Sequence, residues 1–252
     1  MNLPPSSGGR RCLIVGASSG IGEALAKQLG REGAAVALVV RREQELERVH
    51  ASVEQAGGTA LRFAHDVKNA SETPLLFQEI TKQLGGLDLI IYAAGVMPLI
   101  EPNEYSFEKD EATILVNCTG AVAWLNEAAS RFEHTKSGII VGISSVAGDR
   151  GRRGFPVYGA SKAFMDSYME SLRNRLTQYG VQVTTIKPGP VDTPMTKDVK
   201  KKPLLISADV AAATILKVVA KRRQLAYVPG TWRIIMKIVC SVPSFIFRKL
   251  NF

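Results

Sequence analysis

The chain has few of the residues from which disulfide frameworks and metal sites are built. It contains 3 cysteines and 3 histidines among 252 residues. Cys12, Cys118 and Cys240 are odd in number and far apart, which argues against a disulfide framework and favours a reducing compartment such as the cytoplasm. The histidines are scattered without the spacing of metal ligands. We therefore expect neither disulfides nor a metal site.

Long apolar runs are missing as well. Residues 1–9 are polar and rich in turn-forming residues, so they lack the apolar stretch of a signal peptide. Towards the other end, Arg233, Lys237 and Pro243 interrupt a segment that is already shorter than the roughly 20 apolar residues of a spanning helix. We expect no secretion signal and no membrane-spanning helix.

Acidic residues are almost absent from the last fifth of the chain. From Lys197 to Phe252 there are 12 Lys and Arg residues and only 2 acidic ones, which gives this segment a net charge of +10. The rest of the chain carries −1, so the overall charge of +9 comes from this segment alone. Part of it also has apolar residues at helical spacing, namely Trp232, Ile235, Met236 and Val239.

Three interpretations of this segment remain open. It packs on its own subunit or on a partner as part of a substrate lid, or it lies on an anionic membrane through 231–252, as a basic amphipathic helix with aromatic residues would. The third interpretation is nucleic-acid binding, for which the sequence offers no motif beyond charge. We expect no nucleic-acid partner.

Short apolar runs alternate with helical patterns along the rest of the chain. The apolar runs lie at 12–15, 35–40, 59–64, 87–92, 138–143 and 181–186. Helical patterns lie between them, including 43–56, 71–84, 107–134 and 158–178. This alternation predicts a parallel sheet with helices on both faces, and the length fits one domain without repeats or linkers. We predict a single doubly wound α/β domain of Rossmann type over 1–252, with a core at 10–196 and a basic, apolar helical extension at 197–252.

A glycine-rich turn follows the first predicted strand. Cys12-Leu13-Ile14-Val15 leads into Gly16-Ala17-Ser18-Ser19-Gly20-Ile21-Gly22, and a helical pattern begins at Glu23. A strand, a glycine-rich turn and a helix in this order form the first unit of a dinucleotide-binding fold. Gly16 would allow the tight turn, Gly20 the approach of the pyrophosphate, and Gly22 close packing of helix on strand. The amides at the helix start would face the anion.

The end of the second predicted strand indicates which dinucleotide binds. Enzymes selective for NAD place an acidic residue near this point, where it binds the ribose 2′-hydroxyl. Here the strand ends at Val40 and continues into Arg41 and Arg42. A guanidinium pairs with a 2′-phosphate, which a carboxylate would repel. We therefore predict NADP(H) as the cofactor, although Arg41 and Arg42 could instead form a solvated helix start with Glu43 and Glu45 as partners.

Tyr158 and Lys162 are four residues apart, and Ser145 lies thirteen residues before Tyr158. In a helix this spacing puts the phenol and the ammonium on one face, one turn apart. A phenol has an ordinary pKa of about 10, and a nearby ammonium favours its ionised form. We expect Lys162 to lower the pKa of Tyr158 so that the phenol can transfer a proton, while the Ser145 hydroxyl holds a substrate oxygen.

The glycine spacing and the downstream Ser, Tyr and Lys together resemble the short-chain dehydrogenase/reductase family, from about Arg11 to about Thr196. The resemblance implies that Asp66 meets the adenine and that Asn117 completes a proton relay from Lys162 to solvent. Tyr92-Ala93-Ala94-Gly95 stands where the family usually has Asn-Asn-Ala-Gly, which leaves the local hydrogen bonding open. Lys187-Pro188-Gly189-Pro190-Val191-Asp192-Thr193 resembles the Pro-Gly turn beside the nicotinamide.

The resemblance also implies roles for a larger set of residues. We predict Ser145, Tyr158, Lys162 and Asn117 as catalytic. The predicted cofactor contacts are Gly16, Ser18, Ser19, Gly20, Ile21, Gly22, Arg41, Arg42, Asp66, Val67, Ala93, Ala94, Gly95, Tyr158, Lys162, Pro188, Gly189, Val191 and Thr193. Members of the family often form homodimers or homotetramers through their long helices, here 107–134 and 158–178.

The expected activity is an NADP(H)-dependent transfer of hydride between the nicotinamide and an alcohol/carbonyl pair. The C-terminal segment resembles the endings of some hydroxysteroid-dehydrogenase-like members, which implies a lipophilic substrate such as a steroid, a retinoid or a long-chain carbonyl compound. A 3-oxoacyl-thioester reductase is an alternative, since a basic tail could also dock an acidic carrier protein. The other alternative is a protein without catalysis that senses a cofactor or scaffolds partners.

Overall fold

Nine strands carry the fold in a computed structural model that describes residues 9–101, 103–200 and 202–250. They are β1 Arg11–Val15, β2 Ala35–Val40, β3 Thr59–Ala64, β4 Leu89–Tyr92, β5 Ile139–Ile143, β6 Gln182–Pro188, β7 Val191–Asp192, β8 Ile206–Ser207 and β9 Leu225–Val228. Seven of them form one sheet in the order β3-β2-β1-β4-β5-β6-β9, and β7 pairs with β8. All of these pairings are parallel, as the alternating pattern predicts.

Nine helices connect or follow these strands within the described residues. They are α1 Gly20–Arg31, α2 Glu43–Gln55, α3 Thr73–Gln83, α4 Phe107–Ile114, α5 Gly120–Thr135, α6 Pro156–Leu176, α7 Ala208–Ala220, α8 Trp232–Ser241 and α9 Ser244–Phe247. The helix predicted over 107–134 is interrupted, because a π-helical stretch at Leu115–Thr119 separates α4 from α5. The sequence patterns did not indicate α7 and β9.

Two hydrophobic cores cover the two faces of the sheet. Successive side chains of a strand point to opposite faces, so Ile14 of β1 packs with α1, α2 and α7, whereas Leu13 packs with α3, α5 and α6. Trp124 and Phe132 of α5 are completely buried in the second core. This confirms the predicted fold, a doubly wound α/β domain.

The order of the strands determines where a ligand can bind. β1 pairs with β2 on one side and with β4 on the other, so the sheet is built outwards from β1 in both directions. In such sheets ligands bind beyond the carboxyl ends of the strands, at the point where the strand order reverses. The loops that follow β1, β2, β4, β5 and β6 all meet at this edge.

The C-terminal helices fold back onto the domain. Trp232, Met236 and Val239 form the buried face of α8 and pack with Val146, which follows β5. Of the interpretations for this segment, packing on its own subunit therefore holds for the inner face of α8. None of the helices within the described residues is long and apolar enough to cross a membrane.

Candidate active site

A cleft with a volume of about 280 Å³, open to solvent at its mouth, lies at the carboxyl edge of the sheet. Every residue predicted to contact a cofactor lines this cleft, and so does Ser145. Asn117 is almost completely buried and does not belong to the lining. The lining also includes residues outside the predicted set, namely Val39, Val40, His65, Val96, Val116, Ile143, Ser144, Met195 and Thr196. Most of these flank motif residues, whereas Met195 follows the Pro-Gly turn without any sequence signal of its own.

The glycine-rich turn has the shape that a phosphate group needs. Gly16 has a φ of 91°, which disfavours residues with a side chain. A Cβ atom on Gly22 would collide with the carbonyl oxygen of Gly16, so only glycine lets α1 start this close to the turn. Within the described residues, the Ser19 side chain makes no capping hydrogen bond to α1. The first amides of α1 are thus available to an anion, and the site fits a dinucleotide pyrophosphate.

Arg48 of α2 supports this turn from outside the cleft. Its guanidinium donates to the carbonyl oxygen of Ser18 at 2.9 Å and to both carboxylate oxygens of Glu23 at 2.6 and 2.8 Å. The hydrogen bonds from Arg48 hold the pKa of Glu23 below its ordinary value, although burial opposes this shift. Sequence reasoning missed Arg48, because it lies 25 residues from Glu23 and belongs to no local motif.

The end of β2 presents guanidinium groups to the cleft. Val40 is buried, while the side chains of Arg41 and Arg42 are 62% and 60% exposed. Arg41 lies 3.9 Å from a carboxylate oxygen of Asp66, and Arg42 lies 3.7 Å from Glu45. Arg42 therefore lies near Glu45, one of the two acidic partners expected if the arginines form a solvated helix start. Arg41 instead lies beside the residue expected to meet the adenine.

Ser145, Tyr158 and Lys162 come together at the inner end of the cleft. Tyr158 and Lys162 are one turn apart in α6, and the Lys162 ammonium lies 5.6 Å from the centroid of the phenol ring. The same ammonium donates to the carbonyl oxygen of Ile143 at 3.0 Å. The Ser145 hydroxyl accepts a hydrogen bond from the Ala147 amide at 3.1 Å, which fixes it at the end of β5.

Burial dominates the electrostatics of this trio. It raises the pKa of Tyr158, and a hydrogen bond with Ser145 opposes this shift only in part. It also lowers the pKa of Lys162 to about 8, against the attraction of Asp166 and Cys118. The expectation that Lys162 lowers the pKa of Tyr158 is therefore wrong for this geometry, in which the ammonium is directed at the Ile143 carbonyl. The phenol stays protonated near neutral pH.

Asn117 lies in the π-helical stretch and braces the wall of the cleft. Its amide accepts from the Val96 amide at 2.8 Å and donates to the Val96 carbonyl and to the Ser161 hydroxyl, both at 3.0 Å. A methyl group added at Gly95 would lie 3.5 Å from both Asn117 Oδ1 and Lys162 Nζ. The side chain is thus close to Lys162 while its amide joins the loop after β4 to α6.

Tyr92 supplies a hydrogen bond where the motif departs from the usual pair of asparagines. Its buried hydroxyl donates to the carbonyl oxygen of Val116 at 2.6 Å. That carbonyl belongs to the π-helical stretch, whose irregular hydrogen bonding leaves groups that need other partners. Gly120 makes room for the phenol, since a Cβ atom there would lie 2.7 Å from its oxygen. Tyr92 therefore ties β4 to the segment that holds Asn117.

A buried ion cluster lies behind Lys162 and was not predicted. The Lys187 ammonium, at the end of β6, lies 2.5 Å from Asp149 and 2.9 Å from Asp166. The Tyr227 hydroxyl donates to Asp149 at 3.0 Å. These side chains join the loop after Ser145, the helix that carries Tyr158 and Lys162, and the strand that leads to Pro188. The three elements that form the inner end of the cleft are thereby fixed relative to one another.

Known proteins are similar to this chain in sequence or in fold. The sequence profile of a family described as short chain dehydrogenase matches residues 10–204. A Myxococcus xanthus protein named as an uncharacterized oxidoreductase is 38% identical over 187 residues, 74% of each chain. A fatty acyl-CoA reductase of Acinetobacter baylyi is 32% identical over 223 residues, which are 86% of this chain and 76% of that protein. A solved short-chain dehydrogenase of Sphingobium yanoikuyae, in complex with NADPH, has the same fold, with a TM-score of 0.81, 24% identity, and coverage of 93% of this chain and 97% of that one.

Proposed function

This chain belongs to the short-chain dehydrogenase/reductase family, and from that premise we propose that it is an NADP(H)-dependent oxidoreductase that interconverts an alcohol and a carbonyl group. The observation that carries the proposal is that Ser145, Tyr158 and Lys162 line the same cleft as the glycine-rich turn. An anion site and a proton donor thus lie in one cavity. A protein that only sensed a cofactor or scaffolded partners would have no need of a phenol and an ammonium held there.

The residues of the cleft would have distinct roles in hydride and proton transfer. A bound nicotinamide cofactor supplies or takes up the hydride. Tyr158 would give its proton to the carbonyl oxygen in reduction and take one from the alcohol in oxidation, while the Ser145 hydroxyl holds that oxygen. Lys162 would hold the ribose, and Asn117 would connect Lys162 to solvent. Burial raises the pKa of Tyr158, so near neutral pH its phenol carries the proton that reduction requires.

The preference for NADP(H) rests on the end of β2. Val40 offers an apolar side chain where a carboxylate would bind the ribose 2′-hydroxyl, and Arg41 and Arg42 both line the cleft. Arg41 is the better candidate for a 2′-phosphate contact, because it lies beside Asp66 and its side chain is mostly free of the protein. Its distance of 3.9 Å from Asp66 leaves the guanidinium able to turn towards a second anion.

Arg41→Asp is expected to weaken NADPH binding by about 10- to 150-fold, since it removes one charge-assisted contact and adds a repulsive charge. NADH binding should stay the same or improve, because the new carboxylate can accept from the ribose 2′-hydroxyl. Dissociation constants from nicotinamide fluorescence measure both. Arg31→Asp, the same change at an exposed position in the last turn of α1, is the control. An Arg41 variant with the wild-type preference would contradict the assignment.

A lipophilic substrate is supported by the surroundings of Tyr158. A small hollow of about 10 Å³ adjoins this residue, and its wall is partly apolar, with Pro98, Ile100, Phe155 and Val157 beside Lys109, Asp110 and Thr113. Met195 adds an apolar side chain, 38% exposed, at the cleft itself. The Acinetobacter baylyi relative is named for a fatty acyl substrate. We propose long-chain carbonyl compounds as the substrate class, ahead of steroids and retinoids.

A series of linear aldehydes, followed by the loss of NADPH absorbance, tests the reaction and the substrate class together. We expect kcat/KM to rise about fourfold for each added methylene as long as the chain is buried. Ile100→Ser should flatten this rise, whereas Leu75→Ser, on the exposed side of α3, should leave it unchanged. A flat series in the wild type would contradict the lipophilic site. A clear preference for 3-oxoacyl thioesters would favour the alternative reductase.

We also propose a homodimer or homotetramer built on the long helices. Ile114 of α4 and Phe164 of α6 are 47% and 41% exposed, and Phe164 stacks on Tyr168 with ring centroids 5.9 Å apart. Exposed apolar and aromatic groups of this kind favour association. Static light scattering distinguishes a monomer from these assemblies.

We propose the cytoplasm as the location. Cys12, Cys118 and Cys240 are all free thiols in the structure, which suits a reducing compartment. Fractionation of cells followed by detection of the protein tests this assignment.

A further inference from the structure

The outward side of the C-terminal helices is apolar and basic. We call it the outer C-terminal face, and it consists of Arg233, Ile234, Lys237, Ile238, Phe245, Ile246, Arg248, Lys249 and Leu250. Ile234, Ile238 and Phe245 are 68%, 63% and 62% exposed, so several large apolar side chains of these two helices face solvent. Ile234 and Ile238 are one turn apart and so form a continuous apolar row on α8.

The inner side of the same helices packs against the rest of the domain. Trp232 is buried against Gly189 of the Pro-Gly turn, where a Cβ atom would collide with the indole. Arg150 donates to the carbonyl oxygens of Val239 and Val242 at 2.5 and 2.6 Å, and its guanidinium lies 3.8 Å from the centroid of the Phe247 ring. These contacts fix the orientation of α8 and α9. The outer C-terminal face is therefore held outwards and does not fold into the core.

The charge around this face has one sign. Residues 210–252 include eight Lys and Arg residues and no Asp or Glu, and Arg233, Lys237, Arg248 and Lys249 all flank the exposed apolar groups. Not every exposed apolar residue of the protein has only basic neighbours. Phe107, which is 77% exposed, is followed by Glu108 and Asp110 in the first turn of α4. The outer C-terminal face is therefore complementary in charge to an anionic partner.

We propose that the outer C-terminal face docks on an anionic lipid bilayer. A convex helix surface with an apolar row and flanking Lys and Arg can lie at the boundary between headgroups and acyl chains, with the basic groups extended to the phosphates. A nucleic acid would complement the charges and would leave Ile234, Ile238 and Phe245 exposed to water. Because the opposite side of α8 touches the Pro-Gly turn, docking would hold the cleft about one helix diameter, roughly 10 Å, from the bilayer.

Co-sedimentation of the full chain with vesicles tests the proposal. We expect binding to vesicles of phosphatidylcholine and phosphatidylglycerol that decreases with salt, and little binding to phosphatidylcholine alone. Ile234→Ser/Ile238→Ser should lower the partition coefficient about tenfold. Arg233→Gln/Lys237→Gln should lower it about 30-fold, since each basic residue near the surface contributes roughly fivefold.

Leu75→Ser/Phe107→Ser is the matched control, because it removes two apolar side chains of similar exposure that lie on other helices. This control should bind vesicles like the wild type, and NADPH binding shows that every variant is folded. The proposal is overturned if the wild type does not sediment with the anionic vesicles, or if the Ile234/Ile238 variant sediments as well as the wild type. It is also overturned if light scattering shows a dimer that this variant dissociates, since the face would then cover a second copy of the chain.

Discussion

Tyr158→Phe is expected to lower kcat/KM for carbonyl reduction by about 10²- to 10⁴-fold, the range that one positioned acid contributes. NADPH binding should change by less than about twofold, because the ring stays in the wall of the cleft and only the hydroxyl is lost. Steady-state kinetics and a fluorescence titration of the same sample separate the two effects. A loss of both together would mean that the variant has lost its structure.

Tyr168→Phe is the matched control for this change. Tyr168 lies on the same helix, α6, and its hydroxyl donates to Asn126 at 2.6 Å, away from the cleft. We expect the Tyr168 variant to keep wild-type kinetics. If the Tyr158 variant kept more than about a tenth of the activity, another group would have to be the acid.

Lys162→Met is expected to lower activity by about 100-fold or more and, at the same time, to stabilise the fold at neutral pH. The activity falls because the ammonium that would hold the ribose is lost. The stability rises because burial lowers the pKa of Lys162 from 10.5 to about 8, so keeping the group charged costs the folded protein about 3 kcal/mol. The lost hydrogen bond to the Ile143 carbonyl offsets part of this gain. We expect a net gain of about 1–3 kcal/mol, a conflict between stability and activity that is common at functional sites.

The pH dependence of stability distinguishes this explanation from a general packing effect. The unfolded chain holds the Lys162 proton up to its ordinary pKa, whereas the folded protein releases it at about 8. The wild type should therefore gain stability as pH rises from about 8 to 10.5. Below pH 8 the folded protein should carry the full cost of keeping the buried Lys162 ammonium charged. Urea unfolding at several pH values measures this rise in stability. We expect the rise in the wild type and in the exposed control Lys82→Met, and we expect it to be absent from Lys162→Met. A Lys162 variant less stable than the wild type at pH 7 would contradict the prediction.

The fold could be predicted because its signals are local. Each of the six apolar runs overlaps a strand of the sheet, and the alternation with helices predicted the parallel arrangement. The interruption of the helix at Leu115–Thr119 could not be predicted, since it depends on partners far away in sequence, such as Tyr92 on the carbonyl of Val116. The strand at Leu225–Val228 has four residues, too few for a clear pattern.

The sequence predicted the residues that line the cleft better than it predicted their electrostatics. Glycines, arginines and the Tyr-Lys pair lie in short motifs, and parallel strands bring the ends of such motifs to one edge. The direction of the pKa shift of Tyr158 depends on the balance between burial and the actual direction of the Lys162 ammonium, which spacing alone does not contain. The same holds for the contact of Arg48 with Glu23, 25 residues away, and for that of Lys187 with Asp149, 38 residues away.

The proposed function requires that the cleft bring a nicotinamide and a carbonyl group together at Tyr158. Reduction of the best aldehyde from the linear series with NADPH that carries deuterium at both C4 positions tests it most directly. We predict an alcohol with one deuterium on the carbinol carbon, formed by the wild type and at most in traces by Tyr158→Phe. An alcohol without deuterium, or a protein that binds NADPH and transfers deuterium to no member of the series, would contradict the account.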